Sequence, residues 1–277
     1  MKNDKVRQNL HTHTQFCDGE NTAEEMVQQA IDNGFKSLGF SSHGFVGAFS
    51  QYSLTEEKTK LYIDEITRLK KKYAGIIDIF MGLEFDYYTH DDAYRYDYTI
   101  GSVHYYKPNK DTVYSLDIKD SQSLKETVET VFEGDPLKLA KKYYELVADL
   151  PNKFGKIDIV GHFDLLLKSN DGCNIIDTDN KVYRSYVKET LRALMGKVKV
   201  FEVNTGAIAR GVKTVPYPQD WVLKEIKDLG GKIVLSSDCH IAKKMTFWFD
   251  EGIEFVKSCG FDELQYFNGK DFEPYKI

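Results

Sequence analysis

The sequence predicts an α/β fold in which seven parallel strands and their helices make a closed or nearly closed barrel, as a single domain over residues 1–277. Three observations lead there. Short β-rich apolar segments alternate with longer amphipathic ones, the pattern of repeated βα units. No stretch rich in Pro, Gly or Ser divides the chain, and no internal repeat runs at a solenoid period. A chain of 277 residues is ordinary for one α/β barrel.

The elements follow in order. Residues 8–14 read as the first strand. Residues 22–33 read as a helix, because Thr22 caps it, Glu25 completes a capping box and Gly34 stops it. A strand at 37–42 is followed by a helix at 55–73 that carries Leu61, Ile66 and Leu69 among many charges. Strands at 78–85 and 98–104 flank a tyrosine-rich stretch, 86–97, which reads as a loop at one barrel end. The polar stretch 107–124 reads as a second such loop. Pro136 opens a helix over 136–150, expected to end before Pro151. Strands at 157–163, 198–204 and 232–238 then alternate with helices at 183–195, 219–229 and 246–259.

Composition narrows the function classes. Hydrophobic residues make 42% of the chain and charged ones 29%, the balance of a soluble globular protein. The net charge of −6 gives no general attraction to nucleic acid or to an anionic membrane, so neither is an expected partner. A phosphorylated substrate would have to be held by local positive charge. Cys17, Cys173, Cys239 and Cys259 show no framework spacing and read as free thiols. The first residues are charged, with no apolar leader, and no run reaches membrane-span length, so the expectation is a cytoplasmic enzyme.

Histidine placement carries the functional signal. His11, His13, His43, His104, His162 and His240 all fall at or just beyond the C-terminal end of a predicted strand. In a barrel those ends meet on the face where active sites are built. His11 and His13 lie two apart on a strand and project to one side, and Asp238 and His240 repeat that spacing. Asp18 follows in the first loop, and Glu84 stands at the mouth of the third strand. One HxH alone has an ordinary structural explanation. Six imidazoles and three carboxylates at one barrel mouth do not, because buried charges require pairing or metal coordination. His90, in a polar acidic run, reads as a loop surface residue.

Nine ligand-type side chains exceed what one catalytic zinc takes. They suit a cluster of about three divalent ions. Imidazole and carboxylate without thiolate favour Zn, Fe or Mn.

These residues resemble the PHP (polymerase and histidinol phosphatase) family, on HTH at His11–His13, SSHG at His43, GLEFDY at Glu84, GSVH at His104, GHFD at His162 and the closing DCH at Asp238–His240. The resemblance implies a distorted (β/α)7 TIM-like barrel with a trinuclear site. It implies one ion on His11, His13, Glu84 and Asp238, and a second on Glu84, His104 and His162. A third would sit on Asp18, His43 and His240. Within the family, HTHTQFCDG, IGSVHY and EVNTGAIARG are most similar to the branch that removes phosphate from L-histidinol phosphate in histidine biosynthesis. Arg210, after the strand at 198–204, then becomes a phosphate ligand, and Arg184 a second candidate contact.

The expected chemistry is in-line attack on phosphorus by a hydroxide bridging two ions. Asp238 would orient or deprotonate the nucleophile, Glu84 would bridge the ions, and Asp18 or a water near it would supply the leaving group's proton. The alternatives are another phosphoesterase of the family, acting on nucleotides, small phosphates or phosphotyrosine; an amidohydrolase-type deacylase; or a non-catalytic metal-binding module. Amidohydrolases commonly bridge their ions with a modified lysine, and Glu84 at the matching strand mouth argues against them. No sequence pattern singles out the pocket for the leaving group.

Overall fold

Strands buried on both faces read as continuous apolar runs, and such runs build the centre of the protein. The computed structural model describes residues 7–47 and 51–277. The first half contains β1 (Gln8–Asn9), α1 (Ala23–Asp32), β2 (Ser37–Phe40), α2 (Glu56–Lys72), β3 (Asp78–Asp86) and β4 (Tyr98–Ser102). A hairpin of β5 (Tyr105–Asn109) and β6 (Thr112–Ser115) and two helices, α3 (Ser121–Val131) and α4 (Pro136–Phe154), follow. The second half contains β7 (Ile159–Val160), α5 (Lys181–Leu194), β8 (Val200–Asn204), the one-turn α6 (Gly206–Ala209), α7 (Asp220–Asp228) and β9 (Ile233–Ser236). It ends with α8 (Phe249–Ser258) and a hairpin of β10 (Glu263–Phe267) and β11 (Phe272–Lys276). Among the described residues no helix is long and apolar enough to cross a membrane.

Seven strands form one parallel sheet in the order β1-β2-β3-β4-β7-β8-β9. The sheet curls into a nearly closed, distorted barrel, as expected from the sequence. Its seam lies between β9 and β1, which form no regular ladder among the described residues. There the His13 N–H donates to the Cys239 carbonyl at 2.8 Å, and the Cys239 N–H donates to the His11 carbonyl at 3.0 Å. The expected first strand, 8–14, is therefore regular only at Gln8–Asn9. Beyond it the chain is held by isolated bonds instead of a ladder, among them the Ser41 N–H to the Thr12 carbonyl at 3.0 Å.

The lower half of the barrel is packed with apolar side chains, among them Leu10, Phe80, Ile100, Ile159, Val200 and Val234 around the buried Tyr98 ring. The β10–β11 hairpin, absent from the sequence reading, closes this end. Phe267 meets Phe80 at a centroid distance of 5.0 Å and Tyr98 at 5.6 Å. The Tyr98 hydroxyl donates to the Leu10 and Phe40 carbonyls, tying three strands together. Gly39 and Gly82 are required beside it, since a Cβ at either would lie 2.4 Å from an atom of the Tyr98 side chain.

Two further differences have local causes. The 107–124 loop expected from its polar composition is part hairpin and part helix. Asn109 turns the hairpin by accepting from the Asp111 N–H, and Asp120 caps α3, which buries Leu124 and Val128. Helix α4 also runs past Pro151 to Phe154. Pro151 is buried, and Phe154 packs on Phe85 at 5.0 Å, so tertiary contact outweighs the lost helix hydrogen bond.

Tyr98→Phe leaves two buried carbonyls without their donor. We expect a loss of about 1–3 kcal/mol of stability, measured by urea unfolding, with metal content unchanged.

Candidate metal centre

All nine expected ligands meet at the C-terminal mouth of the barrel. Each arrives where a strand ends: His11 and His13 after β1, His43 after β2, Glu84 within β3, His104 after β4, His162 after β7, and Asp238 and His240 after β9. Asp18 reaches in from the loop between β1 and α1. The backbone of β2 resumes beside β3 here, where the Glu84 N–H donates to the Ser42 carbonyl and the Gly44 N–H to the Glu84 carbonyl.

Glu84 is the centre of the arrangement. One of its oxygens, Oε1, lies 2.9 Å from His162 Nε2 and 3.4 Å from His104 Nε2. The other, Oε2, lies 2.8 Å from His43 Nδ1, 3.3 Å from His11 Nε2 and 3.7 Å from His13 Nε2. Burial alone would raise this carboxyl's pKa, but the charges of His43, His11 and His104 override it and hold it well below the usual range. Imidazoles thus face both oxygens of this carboxylate, and Glu84 belongs to two of the groups of side chains that could hold an ion.

Asp238 and Asp18 complete the cluster. Asp238 Oδ1 is 3.1 Å from His13 Nε2 and 3.6 Å from His11 Nε2, while Oδ2 takes Arg210 Nη2 at 3.1 Å. Asp238 adopts a positive φ of 45°, a costly conformation for a residue other than Gly. Asp18 lies 3.4–3.7 Å from His240, His13 and His43. Its carboxyl too is driven far below the usual range, because those imidazoles outweigh the effect of burial.

The donor atoms fit metal ions. His11 Nε2, His13 Nε2, Asp18 Oδ1 and Glu84 Oε2 are buried and make no well-aligned hydrogen bond, although each faces a group of opposite character nearby. Buried polar atoms without such bonds are costly, and here they gather in one place. Four sets of ligand atoms lie close enough to share an ion: His13, Asp18, His43 and His240; His11, Glu84 and His162; His11, His13 and Asp238; and His43, Glu84 and His104. These overlap the three sets implied by the resemblance, but they are not identical. His13 joins the Asp18 set, His11 that of His162, and His43 that of His104.

The sequence reading missed the groups that aim the ligands. Glu202, on β8, accepts from His11 Nδ1 at 2.6 Å, from the His162 N–H at 2.7 Å and from the Ser236 hydroxyl. With the Nδ1 proton directed to Glu202, His11 presents the Nε2 lone pair to the cluster. Asp86 accepts the His104 N–H at 2.7 Å. A Glu inside the apolar run VFEVN was the available signal, since a buried acid needs a partner.

The two arginines part company. Arg210 sits at the rim, bonded to Asp238 and 3.4 Å from His240 Nδ1. Arg184 is not brought to the cluster: it pairs with Asp179 at 2.6 Å, donates to the Thr178 carbonyl and stacks on Trp221. His90 is exposed and away from the ligands, in a loop where its N–H bonds the Phe45 carbonyl.

Comparison with known proteins agrees with this geometry. The PHP domain model matches residues 9–206, more than half of the chain. The chain belongs to the PHP family. Among curated PHP relatives, a probable histidinol-phosphatase of Schizosaccharomyces pombe is 27% identical, over 92% of this chain and 87% of its own. The histidinol-phosphatase of Lactococcus lactis is also 27% identical, over 96% of both chains. A crystal structure of the histidinol phosphate phosphatase from Lactococcus lactis, complexed with zinc, L-histidinol and phosphate, matches with a TM-score of 0.72 at 24% identity, over 96% of this chain and 98% of that one. Use of several divalent metals is a property of the PHP family, and the His/Asp/Glu clusters of this chain are able to bind them.

Two outcomes test the ligand assignment. Glu202→Gln should weaken metal affinity roughly 10- to 100-fold, read by competition with a chelator. Glu84→Gln should lose more than one ion's worth of metal by elemental analysis. Wild-type metal content in that variant would remove Glu84 as the bridge.

Proposed function

We propose that this chain is a phosphomonoesterase that converts L-histidinol phosphate and water to L-histidinol and phosphate, with residues 1–277 acting as one hydrolase domain. The observation that carries the reaction class is Arg210 at the rim of a buried cluster of six imidazoles and three carboxylates. The histidinol-phosphatase names of relatives that match over nearly their whole length support the choice of substrate. A place in histidine biosynthesis, in the cytoplasm, fits that choice.

His11, His13, Asp18, His43, Glu84, His104, His162, Asp238 and His240 would hold about three divalent ions. When bound, such ions make water a nucleophile at neutral pH and offset charge on the phosphoryl oxygens. The protein's own groups do the positioning. Glu202 and Asp86 fix His11 and His104, so the ligand atoms are set before substrate arrives. Arg210 offers a planar fork to two phosphoryl oxygens, and Asp238 holds that fork in place. Asp238 also stands where it can orient the attacking water. Asp18, strongly ionised among His43, His240 and His13, is better suited to holding charge than to giving a proton to the leaving alkoxide.

A screen of purified protein against common phosphomonoesters, with L-histidinol phosphate among them, tests the reading by phosphate release. Preference for a nucleotide or phosphotyrosine would replace the substrate but keep the reaction class. Arg210→Ala should lose roughly 2–4 kcal/mol of transition-state stabilisation, read as kcat/KM, with Arg210→Lys recovering part of it. Because Arg210 also bonds Asp238, metal content is measured in the same preparations. Near-normal kinetics in Arg210→Ala would show that the metals hold phosphate alone.

A further inference from the structure

A cavity of about 560 Å³ opens beside the cluster of ligand-type side chains, between the barrel mouth and the β5–β6 hairpin with α3. Asp18, His43 and His104 form its side toward that cluster, and Tyr105, Tyr114 and Asp117 are on its hairpin side. Its position makes it the space a leaving group would occupy once phosphate lies at the metals and Arg210. The hairpin is fixed there, because the Leu116 N–H donates to the His104 carbonyl at 2.6 Å and the Asp117 N–H to the same oxygen at 3.2 Å.

Asp117 is the unexpected member. Among the described residues it belongs to none of the ligand sets that could hold an ion. It nevertheless lies within electrostatic reach of Arg210, His104 and His162. An additional carboxylate next to a phosphate site repels the substrate, unless that substrate brings a cation of its own. Lys168 Nζ bonds Asp117 Oδ1 at 2.6 Å and holds the carboxylate in place. A carboxylate has about four acceptor sites, so one bond to Lys168 leaves capacity for a donor on a ligand.

We propose that Asp117 is a specificity-determining residue that receives the ammonium of an amino-alcohol leaving group, while Tyr105 and Tyr114 flank its ring. This assignment rests on the phosphomonoesterase reading and narrows it to phosphate esters of cationic amino alcohols. The rival role for Asp117 is to position Lys168 toward phosphate, which would affect every substrate alike.

The test compares two matched pairs of phosphomonoesters: L-histidinol phosphate with its des-amino counterpart, and phosphoethanolamine with propyl phosphate. The readout is the ratio of kcat/KM within each pair, for wild type, Asp117→Asn and Asp117→Glu, with metal content checked throughout. We expect wild type to favour the amine in both pairs, and Asp117→Asn to cut that preference roughly 10- to 100-fold, mainly through KM. Asp117→Glu, which keeps the charge, should restore part of it. Absence of amine preference in wild type overturns the proposal. So does an equal loss on both members of each pair in Asp117→Asn, which would assign Asp117 to holding Lys168. If wild type favours amines but treats L-histidinol phosphate no better than phosphoethanolamine, Asp117 keeps its role and the histidinol reading fails.

Discussion

The Glu84 carboxylate is fully buried, and a buried charge is tolerated only where opposite charge or metal compensates it. Five imidazoles lie within 3.7 Å of its two oxygens, and they come from β1, β2, β4 and β7 of the barrel. The mouth of the barrel therefore cannot be rearranged at one strand without uncovering charge at another. Much of the local irregularity serves this centre. β1 abandons its ladder after Asn9, the seam to β9 is held by a pair of hydrogen bonds near His11 and His13, and Asp238 accepts a positive φ.

The barrel separates two kinds of interior. Below, Tyr98 and a set of aliphatic and aromatic side chains fill the space, and the terminal hairpin seals it with Phe267 and Phe272. Above, imidazoles and carboxylates are buried together at the mouth. Apolar packing at the base gives the stability that a mouth crowded with imidazoles and carboxylates does not provide. Glu202 stands between the two levels, reaching from β8 to fix both His11 and the backbone of His162.

Arg210 and Asp117 give the mouth a direction. Arg210 is anchored on Asp238 at the rim next to His240, and Asp117 is anchored on Lys168 beside the hairpin. Each is a charged group whose orientation is set by an ion pair of opposite sign. A substrate that carries both an anionic phosphate and a cationic amine could satisfy both ends at once, which a simple phosphate ester could not.

By itself, the sequence determined the barrel class and the nine ligand-type side chains that meet at its mouth. Strand periodicity and the position of histidine at strand ends are local properties, and a parallel barrel converts them into one convergent face. It also placed Arg210 at the correct rim, because a strand end can be read locally. Only the tertiary structure decided the rest. Arg184 and Arg210 look alike in sequence, yet one pairs with Asp179 and the other with Asp238, and nothing short of the fold separates them. Glu202 and Asp86 become orienting groups only when β8 and β3 are set beside the histidines they hold. The hairpins and α3 escaped detection because polar turn residues mask short elements that are stabilised by packing on the barrel, as does the final turn of α4 beyond Pro151. Interactions between residues far apart in the chain leave no periodic trace in it, and those interactions set the pocket and the charge balance at its mouth.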